Sequence, residues 1–305
     1  MVEDYNKIIE SLGVRFIKAK NINILKPVTI ENNYDIENSL VLVNTGHLRF
    51  GKEKEVCGEG EVFFVPGGRQ VTVSYGINNP ISLSKDDFLN NKELYFQSYI
   101  EKAEAADSYS YVSFEAKAFD SVNFFASLDI PPFKIVDSGK IRSLIKGINA
   151  EVTSSSPGKG RIVKVMTEQL VVELIRYILK QGLFVEQFAT NSTYFKDPRL
   201  IDIFTFIKEN LGEDLSNKVL ANVANVSEDY VGQYFKMLTG INPQDYIEYQ
   251  RMEEAVNLLR TSKMSIREIG KEVGYKDTAY FCRRFKMMFG IPAGKMRRRE
   301  SLINV

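Results

Sequence analysis

The 305-residue chain carries 40 basic against 39 acidic side chains and is 44% hydrophobic and 26% charged. That is apolar material for about two ordinary domains and excludes disorder as the main state, while a formal charge of +1 excludes a protein that coats nucleic acid or membrane along its whole length. Two cysteines, Cys57 and Cys282, and a single histidine, His47, exclude a disulfide framework, a cysteine-built zinc site and a multi-histidine metal centre.

A nucleophile–histidine pair would have to use His47, in VLVNTGHLRFG, a strand and its turn, where an isolated histidine is more often structural or surface. No P-loop, strand-borne GxGxxG or nucleophile elbow occurs, and Gly67-Gly68 reads as a turn. No catalytic residue, metal or cofactor is therefore expected. The opening MVEDYNKIIE lacks the basic region and apolar run of a signal peptide, and no stretch approaches 18 consecutive apolar residues, so a cytoplasmic protein that does not enter a membrane is expected.

Residues from about 22 to 125 read mainly as strands. Ser39–Val43, Asn44-Thr45-Gly46 and His47–Phe50 carry a hairpin signal. Glu61–Val65 ends at Pro66-Gly67-Gly68, and Gln70–Tyr75 alternates with period two. Residues 84–107 read as loop plus a short helix, and Ser110–Phe119 and Ser121–Ala126 as further strands. Short strands punctuated by turns predict a sandwich or barrel.

Helical spacing takes over at about 138–150 and 160–181. The second helix is apolar around most of its circumference and needs cover on two sides. Either it is the central helix of one domain, or Ile162, Val165, Met166, Leu170, Leu174 and Ile178 meet a second copy; a homodimer is expected. Residues 188–196, polar and rich in Asn, Ser and Thr, read as a linker between a block at 1–187 and one at 197–305. From Asp197-Pro198, a cap and a first-turn proline, the chain reads as all helix. Asn242-Pro243 opens a long helix with Tyr246, Tyr249, Met252, Val256 and Leu259 on one stripe, and Ser265–Glu268 is a capping box.

Charge is uneven. Residues 198–305 hold 17 basic and 14 acidic side chains, and within 276–299 eight basic residues accompany one acid, Asp277. A basic end on a neutral chain is the asymmetry of a nucleic-acid-binding domain, although the run Arg297-Arg298-Arg299 alone reads rather as a solvated face. The helical region also repeats itself at an offset of 50 residues: Val219 with Ile269, Val223 with Val273, Tyr230 with Tyr280, Phe235 with Phe285, Lys236 with Lys286 and Gly240-Ile241 with Gly290-Ile291, with Pro243 and Pro292 one residue off. Each half, about 216–238 and 266–288, reads as short helix, turn, second helix. This is the helix-turn-helix plan, in which the second helix enters the major groove. A connector of about 17 residues spans on the order of 25 Å, compatible with recognition helices in successive grooves roughly 34 Å apart.

The strings LANVANVSEDYVGQYFKMLTGINPQDYI and SIREIGKEVGYKDTAYFCRRFKMMFGIPAGKMR resemble the DNA-binding domain of the AraC/XylS family of bacterial transcription regulators, over about 197–299. Residues 22–80 look, less specifically, like the cupin-type β-barrel that many members carry. The resemblance implies a multi-domain α+β protein: a cupin-like barrel at about 22–130 with flanking helices at 138–181, then an all-α double helix-turn-helix domain. It implies promoter DNA and RNA polymerase as partners, activation rather than repression, and control through the first domain by a small effector or a regulatory protein. The family's base-facing positions fall on Asp229, Tyr230, Gly232 and Gln233 in the first unit, and on Lys276, Asp277, Thr278, Tyr280 and Arg283 in the second. The first set departs from the pattern, because Gly232 has no side chain and Gln233 stands where arginine is frequent. Gln233 can pair with adenine, Arg283 with guanine and Thr278 with a thymine methyl. Lys236, Arg284, Lys286 and Arg297, Arg298 and Arg299 are assigned to phosphates, which position the protein without reading sequence. At the barrel mouth Tyr34, His47, Arg49, Phe64, Arg69 and Tyr75 are candidate ligand contacts, with Arg49 or Arg69 able to grip a carboxylate or phosphate. Two other readings stay open: a protein-binding co-regulator that no longer reads bases, and a β-barrel enzyme.

Overall fold

The structure, a computed structural model, describes residues 6, 9–10, 12–76, 78–99, 106–118, 122–128, 130–184, 198–239 and 242–297. The described residues of 11–118 and 123–185 make one compact unit, and those of 186–305 belong to a second. The expected linker at 188–196 and the cap at Asp197 lie outside the described residues.

The first unit contains strands β1 (Leu12–Ile24), β2 (Val28–Tyr34), β3 (Asn38–Thr45), β4 (Leu48–Phe50), β5 (Glu55–Cys57), β6 (Val62–Val65), β7 (Gln70–Tyr75), β8 (Ile81–Ser84), β9 (Phe96–Tyr99), β10 (Ser108–Ala118), β11 (Val122–Asn123) and β12 (Phe133–Ile135). They form two sheets. One runs β12-β6-β3-β10-β1-β9 with β11 beside β10, and the other runs β5-β4-β7-β2-β8. Helix α1 (Lys85–Asn90) follows β8, and α2 (Phe124–Ser127) follows β11. Val41, Val43, Phe63 and Tyr109 of the first sheet meet Leu48, Phe50, Val71 and Val73 of the second in one core. Burial of such side chains, at about 25 cal/mol per Å² of apolar surface, is the main term holding the sheets together.

The expected hairpin at 39–50 is not one. Every residue from Asn38 to Val43 is buried, and β3 already has β6 and β10 on its two edges. The chain therefore turns at Gly46 (φ 79°) and enters the second sheet as β4. A side chain at Gly46 would meet the Asp107 carboxylate at 2.0 Å, and that carboxylate accepts the His47 N–H at 3.1 Å. The strand region also starts earlier than 22. In β1 the register shifts between Phe16 and Lys18, a bulge that breaks the period-two pattern a strand is recognised by. Among the described residues of 121–126 only Val122–Asn123 is strand. Asn123 accepts the Ala126 N–H at 3.3 Å and caps α2, whose Phe124 and Phe125 are both buried.

The six barrel-mouth candidates do not converge. Phe64 lies on the face of its sheet opposite Phe63. Its ring meets Phe125 and Phe133 at 5.1 and 5.4 Å, while Phe63 stacks on Phe50 at 4.2 Å between the sheets. Tyr75 is packed edge-on to Phe96 and Tyr109, and burial raises its phenol pKa. Tyr34 is buried, His47 is exposed, and Arg49 alternates with the inward Leu48 and Phe50, on the opposite face of β4. Arg69 is half-buried beside the Gly67-Gly68 turn, where a side chain at Gly67 would strike the Ile36 carbonyl. Cys57 is buried, and desolvation with the neighbouring Glu61 pushes its thiol up to about 12.

Helices α3 (Gly139–Thr153) and α4 (Lys159–Lys180) cover the outer face of the first sheet. Here the dimer stripe divides. Leu170, Leu174 and Ile178 are fully buried inside their own unit, and Met166 is half-buried with its methyl against Gly147. Only Ile162 and Val165 of the six are exposed, at 48% and 51%. The helix needed cover on two sides, and the sheet together with α3 supplies most of it. No helix among the described residues is long and apolar enough to cross a membrane.

Candidate nucleic-acid interface

The second unit is helical: α5 (Pro198–Glu209), α6 (Asn217–Ala224), α7 (Glu228–Thr239), α8 (Pro243–Thr261), α9 (Ile266–Glu272) and α10 (Thr278–Phe289). Asn242 caps α8 by accepting the Asp245 N–H at 2.9 Å, with Pro243 in the first turn. At α9 the Ser265/Glu268 capping box is formed in both directions, and these bonds hold the Glu268 carboxyl below the usual range.

Both halves turn on a left-handed residue after their first helix, Asn225 (φ 54°) and Gly274 (φ 87°). Each turn closes with the same bond, Val226 N–H to the Ala221 carbonyl at 3.0 Å and Tyr275 N–H to the Gly270 carbonyl at 2.8 Å. This pairs the first helices at an offset of 49: Leu220 with Ile269 and Ala224 with Val273, all buried. The offset of 50 holds for α7 and α10, where Val231 matches Phe281 and Phe235 matches Phe285, again all buried. The second turn is one residue longer, so the sequence pairs Val219/Ile269 and Val223/Val273 are one place out, and Val223 is only half-buried.

Gly274 is fixed twice. Its backbone is left-handed, and a Cβ there would lie 2.6 Å from the Leu211 carbonyl and 2.7 Å from the Arg251 guanidinium. Arg251 itself donates to the carbonyls of Leu211 and Glu213, both at 2.9 Å, and burial lowers its pKa. Gly274→Ala is expected to cost about 2–3 kcal/mol. Calorimetry of the full chain should show the transition of the helical unit moved down; a transition at the parent temperature would mean the turn relaxes freely.

On the second helices the sequence-derived contact residues sort by exposure. In α7, Asp229, Gln233 and Lys236 are exposed, and Tyr230 is 45% exposed. Around α10, Lys276, Arg283 and Lys286 are exposed, Tyr280 is 47% exposed and Thr278 is half-buried. The Arg283 guanidinium lies 5.9 Å from the Tyr280 ring centroid, which orders the arginine on the outer face. Three assignments change. Asp277 is the N-cap of α10, its carboxylate accepting the Tyr280 N–H at 2.5 Å, so it is spent on the helix start. Arg284 is gripped by both oxygens of Glu248 on α8, an interaction that raises its pKa. Arg297 donates to the Met264 carbonyl. Arg284 thus ties α10 to α8, and Arg297 is tied to the loop before α9, instead of standing free for phosphates. Arg298 and Arg299 lie outside the described residues. Sequence reasoning missed Glu248, which anchors the second half to the connector, and Arg251, which ties the connector to the carbonyls of Leu211 and Glu213 ahead of α6; it also missed Met287, 62% exposed one turn after Arg283. The spacing 280, 283, 287 marks one face of α10 and would have pointed to Met287.

A family model described as a helix-turn-helix domain matches residues 220–299. The chain is 28% identical over 150 residues to the arabinose operon regulatory protein of Salmonella typhimurium strain LT2, covering 48% of this chain and 50% of that one. It is 31% identical over 99 residues to the Transposon Tn10 TetD protein of Escherichia coli, covering 32% of this chain and 72% of TetD. The chain spans from about a third to about half the length of the first curated relatives it matches. Among solved structures, ToxT from Vibrio cholerae O395 matches in fold with a TM-score of 0.54 at 9% identity, over 96% of this chain and 99% of ToxT.

Proposed function

Because this chain belongs, through its C-terminal third, to the AraC/XylS family of transcription regulators, we propose that it is a sequence-specific DNA-binding regulator that places α7 and α10 in successive major grooves of promoter DNA. The observation that carries this is the matched pair of buried-inside, polar-outside second helices, Tyr230, Gln233 and Lys236 on one and Tyr280, Arg283 and Lys286 on the other. They flank α8, whose 19 residues span about 28 Å. Each projects side chains that bond base edges or phosphates. The first unit is the regulatory part, answering to a small effector or a partner protein; the protein is cytoplasmic, activates transcription through contact with RNA polymerase, and dimerises through the exposed Ile162 and Val165 edge of α4. A catalytic role is disfavoured by the neutral, buried Cys57 thiol and the exposed His47 ring.

One feature favours a second reading, a co-regulator that contacts protein: α7 opens on two exposed acids, Glu228 and Asp229, which repel phosphates. Selection of random duplexes by the full chain separates the two. A regulator enriches a site with two elements centred about 10 base pairs apart; a pool left unenriched after repeated rounds at low salt leaves the co-regulator.

A further inference from the structure

A cleft of about 620 Å³ opens in the first unit where the first half of β1 passes the end of α3 and the first turns of α4. Its walls are apolar: Val14 and Phe16 from β1, Val152 from α3 and Val163 from α4. Three cations, Arg15, Lys159 and Lys164, stand among them. Their positions are set by the fold. The Lys159 ammonium donates to the carbonyls of Val152 and Ser154 at 3.3 and 3.1 Å. Arg15 is paired with Glu115 at 2.7 and 3.1 Å. Lys164 lies 3.9 Å from Glu168, both largely exposed. The Lys159 ammonium thus donates to neutral carbonyls, and the Lys164 pair is of the exposed kind that contributes little. Gly160 forms part of the lining, and a Cβ built on it meets nothing within 4 Å, so the space at this wall is open.

A volume of this size suits a small organic ligand. The walls offer little to a sugar or a nucleotide, whose many hydroxyls would be desolvated without partners. Two ammonium groups over apolar side chains suit one anionic head on an apolar body. We propose that this cleft binds a small monocarboxylate with an apolar body, the carboxylate held between Lys159 and Lys164 and the body against Phe16 and Val163. The site deepens the regulatory reading of the first unit and rests on it for its biological meaning. Binding is measured without DNA, so the failure of either leaves the other standing.

The test is a titration of the full chain with 2-naphthoate, followed by the probe's own fluorescence. Saturable binding at one site per chain is expected, with 2-naphthylmethanol, the same body without the charge, at least tenfold weaker, the loss of about one charge-assisted hydrogen bond. Gly160→Leu introduces a better helix former into the first turn of α4. It should unfold no lower than the parent and abolish binding by filling the cleft. Lys159→Gln combined with Lys164→Gln removes both charges and leaves the apolar walls in place; it should weaken binding about tenfold or more and decides the matter if Gly160→Leu folds poorly. Absence of saturable binding, equal affinity for the alcohol, or unchanged binding in the charge variant overturns the proposal. So does a chain that ignores the naphthoate yet binds vesicles of anionic phospholipid, which would make the cleft part of a lipid-facing surface.

Discussion

Phe235→Ala and Phe285→Ala should each destabilise the helical unit by about 3–5 kcal/mol, the largest effects expected of any single truncation here. Both rings are fully buried at the same place in the two halves. Phe235 packs against Phe204 and Tyr246 at 5.5 and 5.6 Å, and Phe285 against Phe281 and Phe289 at 5.8 and 4.5 Å. Removing either leaves a void that its aromatic neighbours cannot close, because each is itself fixed in the core. Five residues earlier in each helix stand Tyr230 and Tyr280, nearly half exposed. Tyr230→Ala and Tyr280→Ala should leave stability within about 0.5 kcal/mol and lower affinity for the selected duplex. Urea unfolding and duplex titration on the same four variants give a crossed pattern if packing and contact are divided as described. Equal loss of stability in all four would place the tyrosines in the core.

The repeat was readable because a groove-entering helix must bury one face and expose the other, and both copies keep that pattern. Its register was readable only in part. The turns differ by one residue, and a count of matching letters at one offset follows the second helices while misplacing the first; the hydrogen bonds that close the turns at Ala221 and Gly270 reveal the shift. Pairing choices made over long sequence distances were hidden for a different reason. Nothing local to Arg284 says that its partner is Glu248, 36 positions earlier, and a basic residue on a recognition helix reads as a phosphate contact until that partner is placed. The strand β3 shows the same limit in the sheets: its turn residues announce a hairpin, but the edges it would pair through are already taken by β6 and β10. In α4 an all-round apolar helix cannot say from its own sequence which side its own sheet will cover, so Leu170, Leu174 and Ile178 looked as available to a second copy as Ile162 and Val165.

Arg283→Ala and Arg284→Ala, neighbours in sequence, should fail in different ways. Arg283 is exposed and steadied by the Tyr280 ring, so its loss should remove about 1–3 kcal/mol of discrimination at one base pair and spare the fold. Lys286→Ala should instead weaken every duplex alike and flatten the dependence of log affinity on log salt by about one, as expected for a single phosphate contact. Arg284 ties α10 to α8 through Glu248, with both side chains only partly exposed, 31% and 22%. Arg284→Ala and Glu248→Ala should therefore each lower stability, and the double variant should lose less than the sum of the two, a coupling of about 1 kcal/mol. Duplex affinity of the Arg284 variant should fall with the population of folded unit and keep the parent salt slope. If Arg284→Ala instead flattens the salt slope as Lys286→Ala does while its unfolding midpoint stays put, the guanidinium leaves Glu248 for the backbone of DNA. The ion pair would then be a latch released on binding, and Glu248→Ala, by freeing Arg284 in advance, should tighten the complex.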